Sequence, residues 1–195
     1  MRAKTHATSP GDTRQRILDV ATELFRDRGY AGTSIRDIAD CLGITKAALY
    51  YHFACKEDML HALVAPTIEA IEQFIEVSEA APDTDPAVLL RQFVEILAGN
   101  VPTLATALGD PVVLRSEAGR FRFMEKQARF AQLLAGPDAD EARVLRARAA
   151  LGAIRAAMEA TAGVCLRAGD PFLAQQNVQR HLETIVAAAV GALQG

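Results

Sequence analysis

The sequence predicts an all-α protein, and three observations carry that expectation. Alanine supplies 37 of the 195 residues and leucine 20, whereas Val and Ile together supply 23 and Trp is absent. Helix formers therefore outweigh the β-branched and aromatic residues that favour strands. Helix starts are explicit: Asp85-Pro86, Asp110-Pro111 and Asp170-Pro171 each precede an apolar-periodic run. Asp caps free backbone N–H groups, and Pro at the first helical position sacrifices no hydrogen bond. Finally, no stretch alternates apolar and polar residues with period two, so no sheet is expected.

These signals give about nine helices, at 13–28, 35–41, 45–51, 56–80, 86–99, 102–108, 111–135, 139–167 and 171–193. Asp12 with Gln15 and Asp138 with Glu141 have capping-box spacing, while Gly29, Gly43, Pro102, Gly136-Pro137 and Gly169 mark stops. In the first helix Ile17, Ala21, Leu24 and Phe25 make one apolar face. The fourth helix contains Pro66, which removes one backbone bond and predicts a kink.

Composition narrows the function classes. Lys and Arg number 21 against 24 Asp and Glu, a net charge of −3, which opposes a basic coat that wraps nucleic acid uniformly. The charge is unevenly placed. Residues 1–56 carry nine basic and six acidic side chains, whereas residues 57–195 carry twelve and eighteen. The three tyrosines, Tyr30, Tyr50 and Tyr51, also fall in the first part. A small basic unit ahead of a larger acidic one suits a nucleic-acid reader on a regulatory body. Cys41, Cys55 and Cys165 are odd in number and unpaired in spacing, which argues against a disulfide scaffold and for a reducing, cytoplasmic setting. The polar start and the short longest apolar run, Val186–Leu193, lead to an expectation of no signal core and no membrane span.

The stretch Thr33–Lys56 has the spacing of a helix-turn-helix. Ala39 is small where two helices approach, and Gly43 suits a left-handed turn residue. Ile35, Ile38, Leu42, Ile44 and Leu49 form the expected local core. Thr45 caps the second of these helices and Lys46 sits in its first turn, where a cation opposes the helix dipole. Stability alone would favour Asp or Glu there; a major-groove reader would favour a cation that reaches guanine O6 and N7. Ala47 leaves room for close approach, and Tyr50, Tyr51, His52 and Lys56 offer donors to phosphates.

Residues 13–63 resemble the DNA-binding domain of the tetracycline-repressor-like (TetR/AcrR) regulators. The resemblance rests on Ala21-Thr22-Glu23-Leu24-Phe25, Gly29-Tyr30, Thr33-Ser34-Ile35-Arg36-Asp37-Ile38-Ala39, Leu42-Gly43-Ile44, Leu49-Tyr50-Tyr51-His52-Phe53 and Lys56-Glu57. It implies a homodimer that inserts paired third helices into successive major grooves, with the other helices forming a ligand-binding and dimerising body. Carried over by position, Thr33 and Ser34 are capping and phosphate-contacting residues, and Arg36 matches a position that in some members reaches a base. Thr45, Lys46 and Ala47 begin the reading helix, and Tyr50, Tyr51, His52 and Lys56 contact backbone or thymine methyl groups. Ala47 stands where many members have Gly. Cys55 stands where Ser or Asn commonly caps the fourth helix, which predicts a frayed start there.

The expected organisation is a disordered arm over 1–12, the DNA-binding domain over 13–56 and the ligand-binding and dimerisation domain over 57–195. Phe74, Phe93, Leu97, Leu104, Leu108, Phe121, Met124 and Met158 are candidate pocket walls. Arg115, Arg122 and Arg129 recur at heptad spacing with Arg120 and Lys126. That stripe reads as a solvated face partnered by Glu117 and Glu125, with an acidic ligand as the alternative. Helices 139–167 and 171–193 are expected to form the dimer interface. The first offers small residues, Ala149, Ala153, Ala156, Ala160 and Gly163. The second offers Val178, Leu182, Ile185, Val186, Ala189 and Val190.

No phosphate-cradling loop, nucleotide fingerprint or metal-ligand cluster is present in the sequence, and His6, His52, His61 and His181 are scattered. Catalysis, a cofactor and a metal are therefore not expected. The leading reading is a homodimeric repressor released from a palindromic operator by a small molecule. Thiol-redox or activating regulation is the alternative, followed by a helical interaction module that does not bind DNA.

Overall fold

The structure, a computed structural model, describes residues 10–81, 83–108 and 117–195, and within them it is built from ten α-helices with no strand. They are α1 (Pro10–Arg28), α2 (Ile35–Leu42), α3 (Lys46–His52), α4 (Lys56–Glu79), α5 (Pro86–Gly99), α6 (Val101–Leu108), α7 (Glu117–Ala135), α8 (Glu141–Arg167), α9 (Pro171–Arg180) and α10 (Leu182–Gln194). Two compact units, Met1–Val64 and Ala65–Gly195, divide the chain. The division falls inside α4 and just before Pro66, rather than at the expected 56/57 boundary.

Several helix ends follow the expected chemistry. The Ala87 N–H donates to Asp85 Oδ1 at 2.8 Å and the Leu173 N–H to Asp170 Oδ1 at 2.8 Å. Pro86 and Pro171 open the helices behind them. Asp110-Pro111 lies outside the described residues. Two caps differ from expectation. Helix α1 already runs from Pro10, so Pro10–Asp12 are helical and Gln15 instead donates to Asp19 one turn on, at 2.9 Å. At α8 the cap is Asp140 rather than Asp138, with the Arg143 N–H donating to its Oδ1 at 2.8 Å. Ala139 and Val144, which flank this cap, both pack on the core. They occupy the two positions of a hydrophobic staple, and this fixes the helix start later than the acidic spacing suggests.

The expected single helix 171–193 is two. His181 (φ −101°, ψ 12°) ends α9 and opens α10, and its backbone N–H still bonds to the Asn177 carbonyl at 3.1 Å. No Pro or Gly marks the break. The buried series Ala174, Val178, Ile185, Val186 and Ala189 stays in helical phase across it. The two halves have different neighbours: α9 packs on α5, α6 and α8, and α10 on α5 and α8.

The core of the second unit centres on three aromatic rings. Phe130 lies 4.7 Å from Phe93 and 5.3 Å from Phe74 between ring centroids. Ile75, Leu90, Val94, Ile154, Val178 and Ile185 are fully buried around them. Helix α8 runs against α7, α9 and α10. By length and composition, Glu141–Leu166 within it is apolar enough to cross a membrane. Its Ala147, Ala150, Leu151, Ile154, Ala162 and Cys165 are buried in the chain's own core, and Arg148, Arg155 and Glu159 stand on its exposed side. That is the pattern of a core helix with one open face.

The last two segments contribute differently to surface and interior. Ala149, Ala156 and Ala160 are exposed as a dimer face requires, Ala153 is half-buried and Gly163 is buried. In α9 and α10 the large apolar residues assigned to that face, Val178, Ile185, Val186 and Ala189, are instead intrachain core. Thr184, Ala187, Ala188 and Gly191 are among the exposed positions of α10, and Phe172 and Leu173 are exposed at the start of α9.

In the described part of the basic stripe on α7, Lys126 and Arg129 pair with α4 rather than with the expected Glu117 and Glu125. Lys126 Nζ lies 2.6 Å from Glu72 Oε2, and Arg129 Nη2 lies 2.8 Å from Glu79 Oε2. Both partners are on α4, whose C-terminal carboxylates oppose its own dipole and gain from cations alongside. Arg115 and the side chains of Arg120 and Arg122 lie outside the described residues.

Truncating the ring at the centre of this core tests the packing account. Phe130→Ala should cost about 3–5 kcal/mol in chemical denaturation, as expected for removing a fully enclosed aromatic.

Candidate nucleic-acid interface

In the first unit α1 packs on α2 and α2 on α3, and Ile17, Leu18, Ala21, Phe25, Ile38, Ala39, Leu49, Phe53, Met59 and Leu60 are buried. Of the local core expected between α2 and α3, Ile38 and Leu49 are fully enclosed, while Ile35, Leu42 and Ile44 are half-buried. Gly43 makes the turn at φ 66°, a left-handed conformation that a Cβ would strain. The Ile44 N–H reaches back to the Ala39 carbonyl at 3.0 Å and closes the end of α2.

Helix α3 has one buried and one open face. Leu49 is fully enclosed and Phe53, its C-cap, is buried. The Thr45 hydroxyl accepts the Ala48 N–H at 3.1 Å. With Leu49 held inward, Lys46 and Ala47 are exposed, as are Tyr50 (51%) and Tyr51 (82%). His52 is half-buried with its ring edge-on to Tyr51, 5.2 Å between centroids. The structure therefore brings Lys46, Ala47, Tyr50 and Tyr51 onto one solvent-facing helix surface. An ammonium and two phenols on such a face can donate to base edges and phosphates.

Helix α2 presents a second group. Ser34 caps it by a full capping box: its hydroxyl oxygen accepts the Asp37 N–H at 3.2 Å, and the Ser34 N–H donates to Asp37 Oδ2 at 2.8 Å. The Ser34 hydroxyl and the Ser34 backbone N–H hold the Asp37 carboxyl below the usual carboxylate range against the opposing effect of burial, with a further contribution from the Arg28 charge. Arg36 is exposed and leans on Asp40 one turn on, at 3.4 Å.

Two expected contacts have other work in the structure. Thr33 is 1% exposed, and its hydroxyl donates inward to the Leu24 carbonyl at 3.0 Å and the Gly29 carbonyl at 2.9 Å. It ties the α1–α2 turn together. Lys56 Nζ donates to the Tyr30 carbonyl at 2.7 Å and the Thr33 carbonyl at 2.9 Å, and sits 4.0 Å from the Tyr30 ring centroid. The ammonium thus clamps the start of α4 to the α1–α2 turn. Sequence reasoning also passed over Arg14, whose guanidinium lies 4.7 Å from the Phe53 ring centroid, beside the C-terminal end of α3. Its only linear signal was a position off the apolar face of α1.

The frayed start expected for α4 is not observed. The helix begins at Lys56, directly after Cys55. Burial, with hydrogen bonds to the Asp58 and Glu57 carboxylates, pushes the Cys55 thiol up from its ordinary value of 9.0. The neighbouring Lys56 ammonium is directed instead to the Tyr30 and Thr33 carbonyls. Cys41 is exposed, and Cys165 is buried with the Asn177 side chain donating to its sulfur at 3.3 Å.

The candidate ligand residues in the second unit come together in part. Phe74 and Phe93 join the aromatic cluster, Leu97 is buried, and Leu104 and Met158 pack half-buried on the core. The side chains of Leu108, Phe121 and Met124 lie outside the described residues.

The capping box predicts a pH signature. Because the folded Asp37 pKa is lowered, its stabilising effect is fully present above the ordinary value of 3.8 and is lost as pH falls through the folded pKa. Asp37→Asn should therefore be less stable than the natural protein at neutral pH, with the gap closing in urea unfolding followed down to pH ~2.

Comparison with known proteins places these features. The family model described as "Bacterial regulatory proteins, tetR family" matches residues 17–63. The HTH-type transcriptional regulator TtgR of Pseudomonas putida is 33% identical over 81 residues, 42% of this chain and 39% of that protein. The chain thus matches about two fifths of that relative's length. Among solved structures, a transcriptional regulator from Aquifex aeolicus superposes with a TM-score of 0.62 at 26% identity, covering 89% of this chain and 99% of that one. AibR, solved in complex with isovaleryl coenzyme A and operator DNA, gives a TM-score of 0.53 at 25% identity, covering 72% of this chain and 82% of that one. Residues 17–63 thus carry the DNA-binding unit of the tetR family of bacterial regulatory proteins, and the chain as a whole is similar in fold to TetR/AcrR-family regulators.

Proposed function

We propose that the chain is a DNA-binding transcriptional regulator that acts as a homodimeric repressor and leaves a palindromic operator when a small molecule binds its second unit. The observation that carries this reading is the open face of α3. A cation occupies the first turn, where stability favours an acid, an alanine leaves the backbone approachable, and two tyrosines are mostly exposed. The charge distribution supports it, with +3 over residues 1–56 against −6 over 57–195. An acidic body discourages nonspecific association and leaves contact to the basic unit. AibR, solved with both an acyl-coenzyme A and operator DNA, supports a ligand-responsive body for this chain as well.

Homodimerisation completes the geometry. Two α3 helices read two half-sites when they lie about 34 Å apart, one turn of DNA. The exposed stripe of Leu145, Ala149, Gly152, Ala156, Ala160 and Val164 on α8, with Ala187, Ala188 and Gly191 on α10, is apolar and small enough for close helix pairing. No Cβ neighbour lies within 4 Å of Gly152 or Gly191, so a second backbone can approach there.

Two experiments test the reading. Genomic fragments retained by the protein at ~0.15 M salt supply the operator for anisotropy titrations. Lys46→Ala should weaken operator binding by about 1–3 kcal/mol and relax discrimination at one base pair. Tyr51→Phe should weaken all sequences alike. Operator binding by Lys46→Ala equal to that of the natural protein would remove Lys46 as the reading residue. Ala156→Glu should sediment as a monomer with unchanged helicity and with operator affinity reduced; a stable dimer of this variant contradicts the proposed face.

A further inference from the structure

A small recess in the second unit is lined by Ile68, Ile71, Phe93, Lys126, Gln127 and Phe130. Its free volume is about 10 Å³, space for about one water molecule. Against this apolar wall the Lys126–Glu72 ion pair is unevenly hydrated. The Lys126 side chain is 11% exposed, whereas that of Glu72 is 44% exposed. An ammonium taken out of water requires an anion beside it, because an unpaired buried charge costs several kcal/mol. Glu72 is the better hydrated partner. It already faces water, and it lies within the field of Arg129, which bonds Glu79 and is also favoured by Glu72 and Glu76. Exchanging Glu72 for another carboxylate therefore keeps Lys126 paired and releases Glu72 to water and to Arg129.

We propose that this recess is a ligand site selective for amphipathic monocarboxylates, in which the ligand carboxylate replaces Glu72 on Lys126 and its apolar chain parts Phe93 from the α4 side chains Ile68 and Ile71. The proposal rests on the ligand-responsive reading above and names the chemical class of the ligand. Charge arithmetic selects a single negative charge. The exchange replaces one carboxylate by another, whereas a dianion adds charge beside Glu69, Glu72, Glu76 and Glu79 on α4. A neutral amphiphile leaves Glu72 in place and gains only the apolar contact.

Calorimetric titration of the full-length chain without DNA, using octanoate, octan-1-ol and octyl phosphate, tests the site. Octanoate should bind at least about ten-fold more tightly than octanol, the scale of a hydrogen bond to a charged group. Octyl phosphate should be weaker than octanoate. Lys126→Met, which keeps the stem's volume, should bring octanoate and octanol together. Glu72→Gln, which removes the competing charge and leaves the recess wall intact, should tighten octanoate several-fold with little effect on octanol. Equal binding of octanoate and octanol by the natural protein overturns the proposal, as does tighter binding of octyl phosphate or an unchanged preference in Lys126→Met. Parallel operator titrations separate the two readings. Octanoate that binds through Lys126 but leaves operator affinity unchanged supports the site and removes ligand release. A protein that binds its operator but not octanoate overturns the site and leaves the regulator reading standing.

Discussion

A helix of seven residues does not hold its shape in water through its own hydrogen bonds, because nucleation costs more than so few turns return. Helix α3 is that short, and everything proposed for its open face depends on an external hold. Leu49 provides the anchor, fully enclosed, and Phe53 closes the far end under the Arg14 guanidinium. Thr45 satisfies a free N–H at the start, and Gly43 sets the angle at which the chain enters. With those four positions settled, the 100° step of the helix leaves Lys46, Ala47, Tyr50 and Tyr51 no direction but outward. The open face is thus a by-product of burying one leucine.

The turn between α1 and α2 holds the same unit from behind. Thr33 and Lys56 are separated by 23 residues, yet they meet around one turn, where the hydroxyl serves two carbonyls of α1 and its end and the ammonium serves two more. Carbonyl oxygens at a helix end are left over by geometry, and a cation there also complements the dipole of α1. The second unit uses charge differently. The α4 carboxylates Glu72 and Glu79 meet Lys126 and Arg129 across a helix pair, and only the lysine is nearly buried. Identical chemistry in the linear sequence thus divides into an exposed tie and a desolvated cation beside an apolar recess.

Much of the fold was legible because its signals are local. The caps at Asp85 and Asp170 announce their helices through residues one to three positions away, and the Gly43 turn through a single backbone requirement. The break at His181 carried no such signal. The buried positions stay in phase across it, and only the different neighbours of α9 and α10 separate the two. The cap at Asp140 likewise depended on Ala139 and Val144 meeting the core, which the spacing of acids does not encode. Within the site, Lys46, Ala47, Tyr50 and Tyr51 were readable as one face of a helix. The inward turn of Thr33 and the clamp made by Lys56 were not, since both depend on groups brought from other helices.

The sequence by itself therefore determined the all-helical class, most helix starts, the helix-turn-helix and the identity of its outward residues. Each of these follows from periodicity or from hydrogen bonds within a few positions. Tertiary structure decided which polar groups were free to act. Burial and partner choice depend on surfaces far apart in the chain, so only the folded protein shows that Thr33 and Lys56 hold the unit together. By the same route the large apolar residues of α9 and α10 became core rather than interface, and a lysine of an apparently solvated stripe became the charged lip of a recess.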